Sequence, residues 1–514
     1  MNNAFLVAAG ILSSRLAGLV RVRVFAHYFG LASDAADAFN AAFRIPNVLQ
    51  NLFGEGALSA SFIPVYASLV SRGERAEAGR VAGAVGGILS LVVSVLVLAG
   101  VLATPWLIAL IAPGFTGEKR ALTIVLVRIL FPGAGLLVLS AWCLGILNSH
   151  GRFLLSYAAG VIWNAAMIAT LLAFGRDAPL PELAVILAWA SVAGSALQVL
   201  VQFPIVLRVA PDVRAALTLT SAHVRTVLSN FAPVLVSRGV VQLSAYIDSL
   251  MASLLPTGAV TGLANAQILY LLPVSLFGMS MAAAELPAMA GDATRGVDLL
   301  RGRLNRGLRH IAFFVVPSAV AFLALGDVVA AALLQTGRFR YEDAVLVWAL
   351  LAGSAVGLLP STLGRLYSST YYALKDTKTP LRYALLHVAV ATLLGYLLAF
   401  QVASRLGVPA LWSAAGLTLA AGAGGWVEML LLRRSLNARI GSTGLPAGYV
   451  VTLWSSAAGG AAVAWGIKLM LPPLHPVLAA VAILGPYGAV FLATTLALGI
   501  PEAATAFRKL GIKN

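Results

Sequence analysis

Apolar residues run through this chain in stretches long enough to cross a bilayer, one after another, almost from end to end. About 14 such segments can be marked, among them 4–29, 36–70, 153–174 and 224–254, each near or above the ~20 residues that a membrane helix needs. With 60% of its 514 residues hydrophobic and only 11% charged, the chain reads as a polytopic membrane protein, not as a soluble enzyme with an anchor. No cleavable signal is expected, since the first apolar run opens on Asn2 and Asn3 and continues into a segment bearing arginines. Several segments exceed the bilayer thickness, so tilts are expected, with kinks at Pro46, Pro132, Pro233, Pro273 and Pro317. Cys143 is the only cysteine, which excludes an intrachain disulfide and a cysteine metal cluster.

The net charge of +16 is unevenly placed. With the N-terminus in the cytoplasm, the inner connections carry roughly 21 Lys and Arg and the outer ones roughly 6, a positive-inside distribution with both termini cytoplasmic. The basic excess is therefore topological, and nucleic acid is not an expected partner.

The chain also repeats itself. Leu52–Gly54 and Leu276–Gly278 both read LFG, and each is followed by an aliphatic-Pro pair, Ile63-Pro64 and Leu286-Pro287. The turn at Ala112–Phe115 matches Gln335–Phe339, and the turn at Leu147–Phe153 matches Leu374–Pro380. All three pairs are offset by roughly 225 residues, a step of six spans, as in the parallel repeats of secondary transporters. The last two segments fall outside the repeat.

Within the first repeat, Ser13–Pro64 carries Arg15, Arg21, Arg23 and Arg44 against Asp37 and Glu55. A charge at the centre of a membrane helix costs about 2.5–3.5 kcal/mol, so such groups face a cavity or a partner. Surplus buried positive charge suits an anion, and the planar guanidinium fork suits a phosphate. The alternative for Arg15 and Arg21 is a structural ion pair between helices. Arg23 points away from the face of Arg21 on an ideal helix and is left to snorkel or to pair with Asp37. Arg44 is on the Asp37 face, where a local role is expected. Glu55, between two glycines, is open to a capping role. His387 reads either as a packed helix residue or as a proton carrier.

The segments SRLAGLVR (Ser14–Arg21), DAFNAAFRIPN (Asp37–Asn47), FGEGALSASFIP (Phe53–Pro64), APGF (Ala112–Phe115), LLQTGRF (Leu333–Phe339) and YYALKDTKTP (Tyr371–Pro380) resemble the MurJ (MviN) lipid II flippases. These belong to the superfamily of multidrug, oligosaccharidyl-lipid and polysaccharide exporters. The resemblance implies an all-α fold of about 14 transmembrane helices. It has two parallel-repeat six-helix lobes forming a V-shaped cavity, 1–210 and 211–440, then two further helices and a short cytoplasmic tail in 441–514. It implies alternating-access export of lipid II, the undecaprenyl-diphosphate-linked peptidoglycan precursor, across the bacterial inner membrane. The protein is expected to act as a monomer, with membrane lipids around it.

Carried over by position, the resemblance assigns Arg15 and Arg21 to the first-helix arginines and Asp37 and Glu55 to the second-helix acids. The second-helix arginine falls on Gln50, and an eighth-helix acid–arginine pair falls on Gln267 and Ile268. Arg238 is outside the pattern and is a candidate replacement. The expected substrate-binding set is therefore Arg15, Arg21, Arg238, Gln50, Asp37 and Glu55. No cofactor is implied beyond a coupling cation, sodium or a proton. Asp248 is the ion-coupling candidate, although the span Leu381–Ala403 supplies no second carboxylate.

The rival functions differ in chemistry. A drug or cation antiporter wants an acidic cavity. A flippase for another polyprenyl-diphosphate-linked oligosaccharide shares the cavity logic and stays open. A membrane glycosyltransferase or polymerase wants clustered acids or metal ligands in a sizeable loop, and the connections here are under about 20 residues and hold none.

Overall fold

The computed structural model describes residues 3–214, 216–218 and 221–509, and among these it contains helices and a single isolated bridge, Thr336 to Phe339, but no strand. Two compact units emerge. The first runs to Val260 and takes in Thr336–Phe339; the second holds the remainder.

In the first unit, α1 (Asn3–Phe29) is followed by four short helices in line, α2 (Asp34–Arg44), α3 (Asn47–Phe53), α4 (Glu55–Ser61) and α5 (Ile63–Ser71). Then come the long α6 (Arg75–Ile111), α7 (Gly117–Ser149), α8 (Phe153–Phe174), α9 (Leu180–Val209) and α10 (Ala222–Ser253). Helix pairs close through small residues, as lipid-embedded helices must when apolar burial gives no advantage over lipid. Gly160 of α8 meets Ser14 of α1, and Gly133 of α7 meets Val192 and Ser195 of α9. The outer face of α6 presents Leu91, Val95, Leu98, Leu102, Trp106 and Leu110, a stripe at helical spacing that suits lipid. The expected single span at 36–70 is interrupted at Pro46 and again at Gly54. Gly54 is extended, and a Cβ there would lie 2.2 Å from the Gln50 carbonyl, so only glycine fits this break.

The second unit starts with α11 (Ala259–Pro273), which passes through a π-helical segment (Val274–Met279) into α12 (Ser280–Arg295). It continues with α13 (Val297–Leu334) and then α14 (Tyr341–Val356) and α15 (Leu358–Ala373), bent by 42° at Gly357. α16 (Lys378–Tyr396) runs through a second π-helical segment (Leu397–Val402) into α17 (Ala403–Arg405). The last elements are α18 (Ala414–Ile440), α19 (Ala447–Met470), α20 (Pro476–Ala497) and α21 (Pro501–Lys509). Both LFG stretches sit where a span loosens, at the α3–α4 break and in the π-helical segment after α11.

α13 is the axis of the second unit. Its backbone leaves helical geometry at Leu325, eight residues beyond the expected kink at Pro317. The carbonyls near the kink receive side-chain donors: Trp348 Nε1 gives a hydrogen bond to Leu323 O (3.0 Å) and Trp465 Nε1 to Ala324 O (2.8 Å). Tyr487 Oη donates to Pro317 O at 2.6 Å. Buried Asp327 takes Lys468 Nζ at 2.6 Å and Tyr341 Oη at 2.7 Å. These bonds dock α19 and α20, the two helices beyond the repeat, onto α13.

Ten helical runs among the described residues are long and apolar enough to cross a membrane, or eleven if α14 and α15 form one bent span. The other expected segments, at 4–29, 153–174 and 224–254, coincide with α1, α8 and α10, which are helical; their membrane crossing is an expectation.

The YYALKDTKTP turn shows what its residues do. Lys375 takes a left-handed conformation, and the Asp376 carboxylate accepts the Lys378 and Thr379 amides at 3.0 Å, the Thr379 hydroxyl at 2.7 Å and Arg439 of α18 at 2.8 Å. The Thr379 amide, its hydroxyl and the Arg439 guanidinium hold this carboxyl down to about 2, against the opposing effect of partial desolvation. A depressed carboxyl stabilises the fold above its unfolded-state value near 3.9 and loses that contribution as pH falls toward 2. Asp376→Ala should therefore lower the unfolding temperature in detergent at pH 7. Its deficit relative to the parent should narrow as the medium is acidified from about pH 4 toward 2.

Candidate substrate-binding site

The arginines of α1 stand in different surroundings. Arg15 is exposed. Arg21, two turns further on, lies half-buried against α8 and α2. Its Nε donates to Asn164 Oδ1 at 3.0 Å, and its guanidinium carbon lies 5.1 Å from the Trp163 ring centre and 6.0 Å from that of Phe43. Both α8 partners are themselves held. The Asn164 amide donates to Gly160 O at 2.9 Å, which turns its oxygen toward Arg21. The Trp163 indole donates to the Ser191 carbonyl (3.1 Å) and hydroxyl (3.2 Å) of α9. Among the described residues no carboxylate pairs with Arg21. It is a cation positioned by one neutral amide and two aromatic faces, an arrangement that keeps its full positive charge available.

Asp37 has other commitments. It is 1% exposed and accepts Lys119 Nζ and the Gly258 amide, each at 2.9 Å. Lys119 also reaches Asp34 at 3.2 Å and Thr257 at 3.3 Å, and it lies over the Phe115 ring of the APGF turn, 4.4 Å from its centre. Thr257 in turn donates to Asp34 at 2.7 Å. This cluster joins the first turns of α2 and α7 to the segment after α10. Gly114 of the same turn packs so closely on the end of α10 that a Cβ would lie 2.0 Å from Ser253 O.

Arg44 stands within electrostatic reach of Asp248 on α10, and its carbonyl accepts the Tyr246 hydroxyl at 3.2 Å. The local partner in view for Arg44 is thus Asp248 of α10, while Asp37 is held by Lys119. Gln50 is half-buried on α3, and Glu55 is exposed at the start of α4. Both flank the Gly54 break, against which α10 packs, with Phe53 and Phe231 5.6 Å apart. The side chain of Arg238 lies outside the described residues.

Four of the six expected substrate residues, and Asp248, therefore fall into separate neighbourhoods: Arg21 against α8, Asp37 on Lys119, Gln50 and Glu55 at the Gly54 break, and Asp248 beside Arg44. Asn164, Trp163 and Lys119 were not singled out from the sequence. The signal for the first two was a Trp-Asn dipeptide in a largely apolar helix, and for Lys119 a Glu-Lys-Arg run that opens three residues after the APGF phenylalanine.

Among solved structures, the fold matches an inward-facing multidrug resistance MATE family transporter of the MOP superfamily with a TM-score of 0.66, at 20% identity over 85% of this chain and 99% of that one. It matches a structure described as lipid II flippase MurJ, inward closed conformation, with a TM-score of 0.78, at 22% identity over 99% of this chain and 100% of that one. The architecture is an all-helical, multi-pass fold shared with both of these structures. The family model described as lipid II flippase MurJ matches residues 25–484, and the chain belongs to the MurJ family. Relatives include the lipid II flippase MurJ of Burkholderia cenocepacia, 31% identical over 85% of this chain and 84% of its own length. A probable lipid II flippase MurJ of Rhizobium tropici is 31% identical over 88% of this chain and 82% of its own.

The Asp37–Lys119 pair gives a test of its structural weight. Removing one partner of a buried pair costs about 3–5 kcal/mol, whereas removing both charges is often neutral. Lys119→Met should lower the unfolding temperature sharply in a detergent melt, and Asp37→Leu added to Lys119→Met should recover most of the loss.

Proposed function

We propose that this chain is a lipid II flippase. It takes the undecaprenyl-diphosphate-linked disaccharide-peptide from the cytoplasmic leaflet of the bacterial inner membrane and delivers it to the outer leaflet by alternating access. It is a transporter and not an enzyme, with both termini in the cytoplasm. The observation that carries the reading to a residue is Arg21, a cation in an apolar helix paired with no acid among the described residues and steadied by Asn164 and Trp163. Family membership supplies the substrate class. Arg21 and Arg15 engage the diphosphate, and Arg238 of α10 adds a third guanidinium. A diphosphate carries at least two negative charges and several acceptor oxygens, which a guanidinium fork meets with paired hydrogen bonds and a lysine with a point charge.

Rescue of cells depleted of their own lipid II flippase tests this directly. The parent chain should restore growth. Arg21→Lys should impair rescue although it keeps the charge, Arg21→Ala should impair it more, and Arg23→Ala should matter less than either. Failure of the parent to rescue, at verified membrane expression, would reject lipid II as the substrate. Full rescue by Arg21→Ala would reject the role of Arg21.

A further inference from the structure

In the second unit, His387 of α16 and Glu428 of α18 meet at 2.6 Å, Nδ1 to Oε2. His387 lies about 13 Å along α16 from Lys378, and Glu428 about 18 Å before the end of α18 at Ile440, so both lie in the interior of helical runs long and apolar enough to cross a membrane. Their side chains are 24% and 23% exposed, buried enough to matter energetically and open enough to exchange protons. We propose that this pair is a proton-binding site through which lipid export responds to a transmembrane proton gradient. The proposal rests on the flippase reading and adds its coupling ion.

The chemistry of the pair separates it from the other ion pairs of this unit. Asp327 faces Lys468, Asp376 faces Arg439, Asp292 and Glu285 face Arg303, and Glu502 faces Arg309. In each of these pairs the cation is a lysine or an arginine, whose ordinary pKa values lie well above the physiological range. Histidine is the side chain whose charge ordinarily changes between pH 5 and 8. Neutral imidazole beside a carboxylate carries a net charge of −1. Uptake of one proton from the aqueous phase gives a neutral pair, as imidazolium with carboxylate or as imidazole with carboxylic acid, and release returns that proton to water. In a membrane the neutral pair is favoured over the lone carboxylate, so proton uptake strengthens the α16–α18 contact.

The local structure is fitted to this contact. Gly424, one turn before Glu428, faces the imidazole, and a Cβ there would lie 2.7 Å from His387 Cδ2. Of the other groups nearby, Tyr372 of α15 stands close enough to feel the Glu428 charge. On α16, Arg382 and Tyr383 lie about a turn before His387, with Arg382 exposed. On α18, Arg433 is bonded to Thr443 O at 2.8 Å and Arg434 is exposed. The acids of α14, Glu342 and Asp343, sit in its first turn, and Arg301 of α13 reaches α18 at Ile440 O.

The test is lipid II translocation in proteoliposomes, with membrane potential clamped to zero, sodium absent, and a pH gradient imposed in either direction. A one-unit gradient biases a coupled equilibrium about tenfold. The parent protein should show different rates in the two directions, and a trapped pH dye should report proton movement that accompanies flipping. His387→Gln and Glu428→Gln should bring the ratio of the two rates to one, whatever their absolute rates. Gly424→Ala, which displaces the ring and leaves every charge in place, should reduce the ratio. Parent flipping with equal rates in both directions and no proton movement would overturn the proposal alone, as would variants with the parent's ratio. Absence of flipping by the parent would overturn the flippase reading beneath it.

Discussion

A bilayer offers no hydrogen bonds, so each backbone group that leaves a helix ladder within it needs a donor or acceptor from the protein. Most of what is irregular in this structure answers to that requirement. α13 breaks its geometry at Leu325, and indole donors from α14 and α19 attach to the neighbouring carbonyls. The same logic applies at Gly54, where the amide turns back to the Gln50 carbonyl at 2.8 Å. Helix irregularity is thus tied to tertiary contact: a span can loosen only where a neighbour supplies the missing partner.

Charge is handled by the same economy of partners. Asp37, Asp327 and Asp292 are buried and matched to lysine or arginine, and they serve to join elements. Arg21 is treated differently. It is given a neutral amide and aromatic faces, which position a guanidinium without cancelling it. An ion pair at this point would hold the helices together and leave nothing to offer an anion. The contrast between Asp37 and Arg21 within the first unit separates scaffold from binding candidate more sharply than burial does.

Much of the fold was legible because membrane helices announce themselves by length and apolarity, and because the LFG and turn motifs recur at one offset. What was not legible depends on partners far away in sequence. The kink of α13 was expected at Pro317, yet the largest departure is at Leu325, where the donors Trp348 and Trp465 stand. Asp37 entered the expected set by its position in the family pattern, with Arg23 and Arg44 as the cations near it in the chain, whereas the structure pairs it with Lys119, 82 residues on. Arg21 could be named from its helix, but Asn164 lies 143 residues beyond it, and no local pattern points from one to the other. His387 could be read from the sequence as a packed residue or a proton carrier, but its partner Glu428 lies 41 residues away.

The donors around the α13 kink also set an order of events during synthesis. Trp348 follows Leu323 by 25 residues, but Trp465 follows Ala324 by 141. At roughly 5–20 residues per second, that second interval is on the order of ten seconds or more. Throughout it, α13 has left the ribosome while the helix that satisfies Ala324 does not yet exist. The nascent segment must keep that carbonyl in a straight helix or in contact with water at the insertion machinery. The bend is therefore acquired late, when α19 arrives, and the last two helices complete the shape of a segment made long before them.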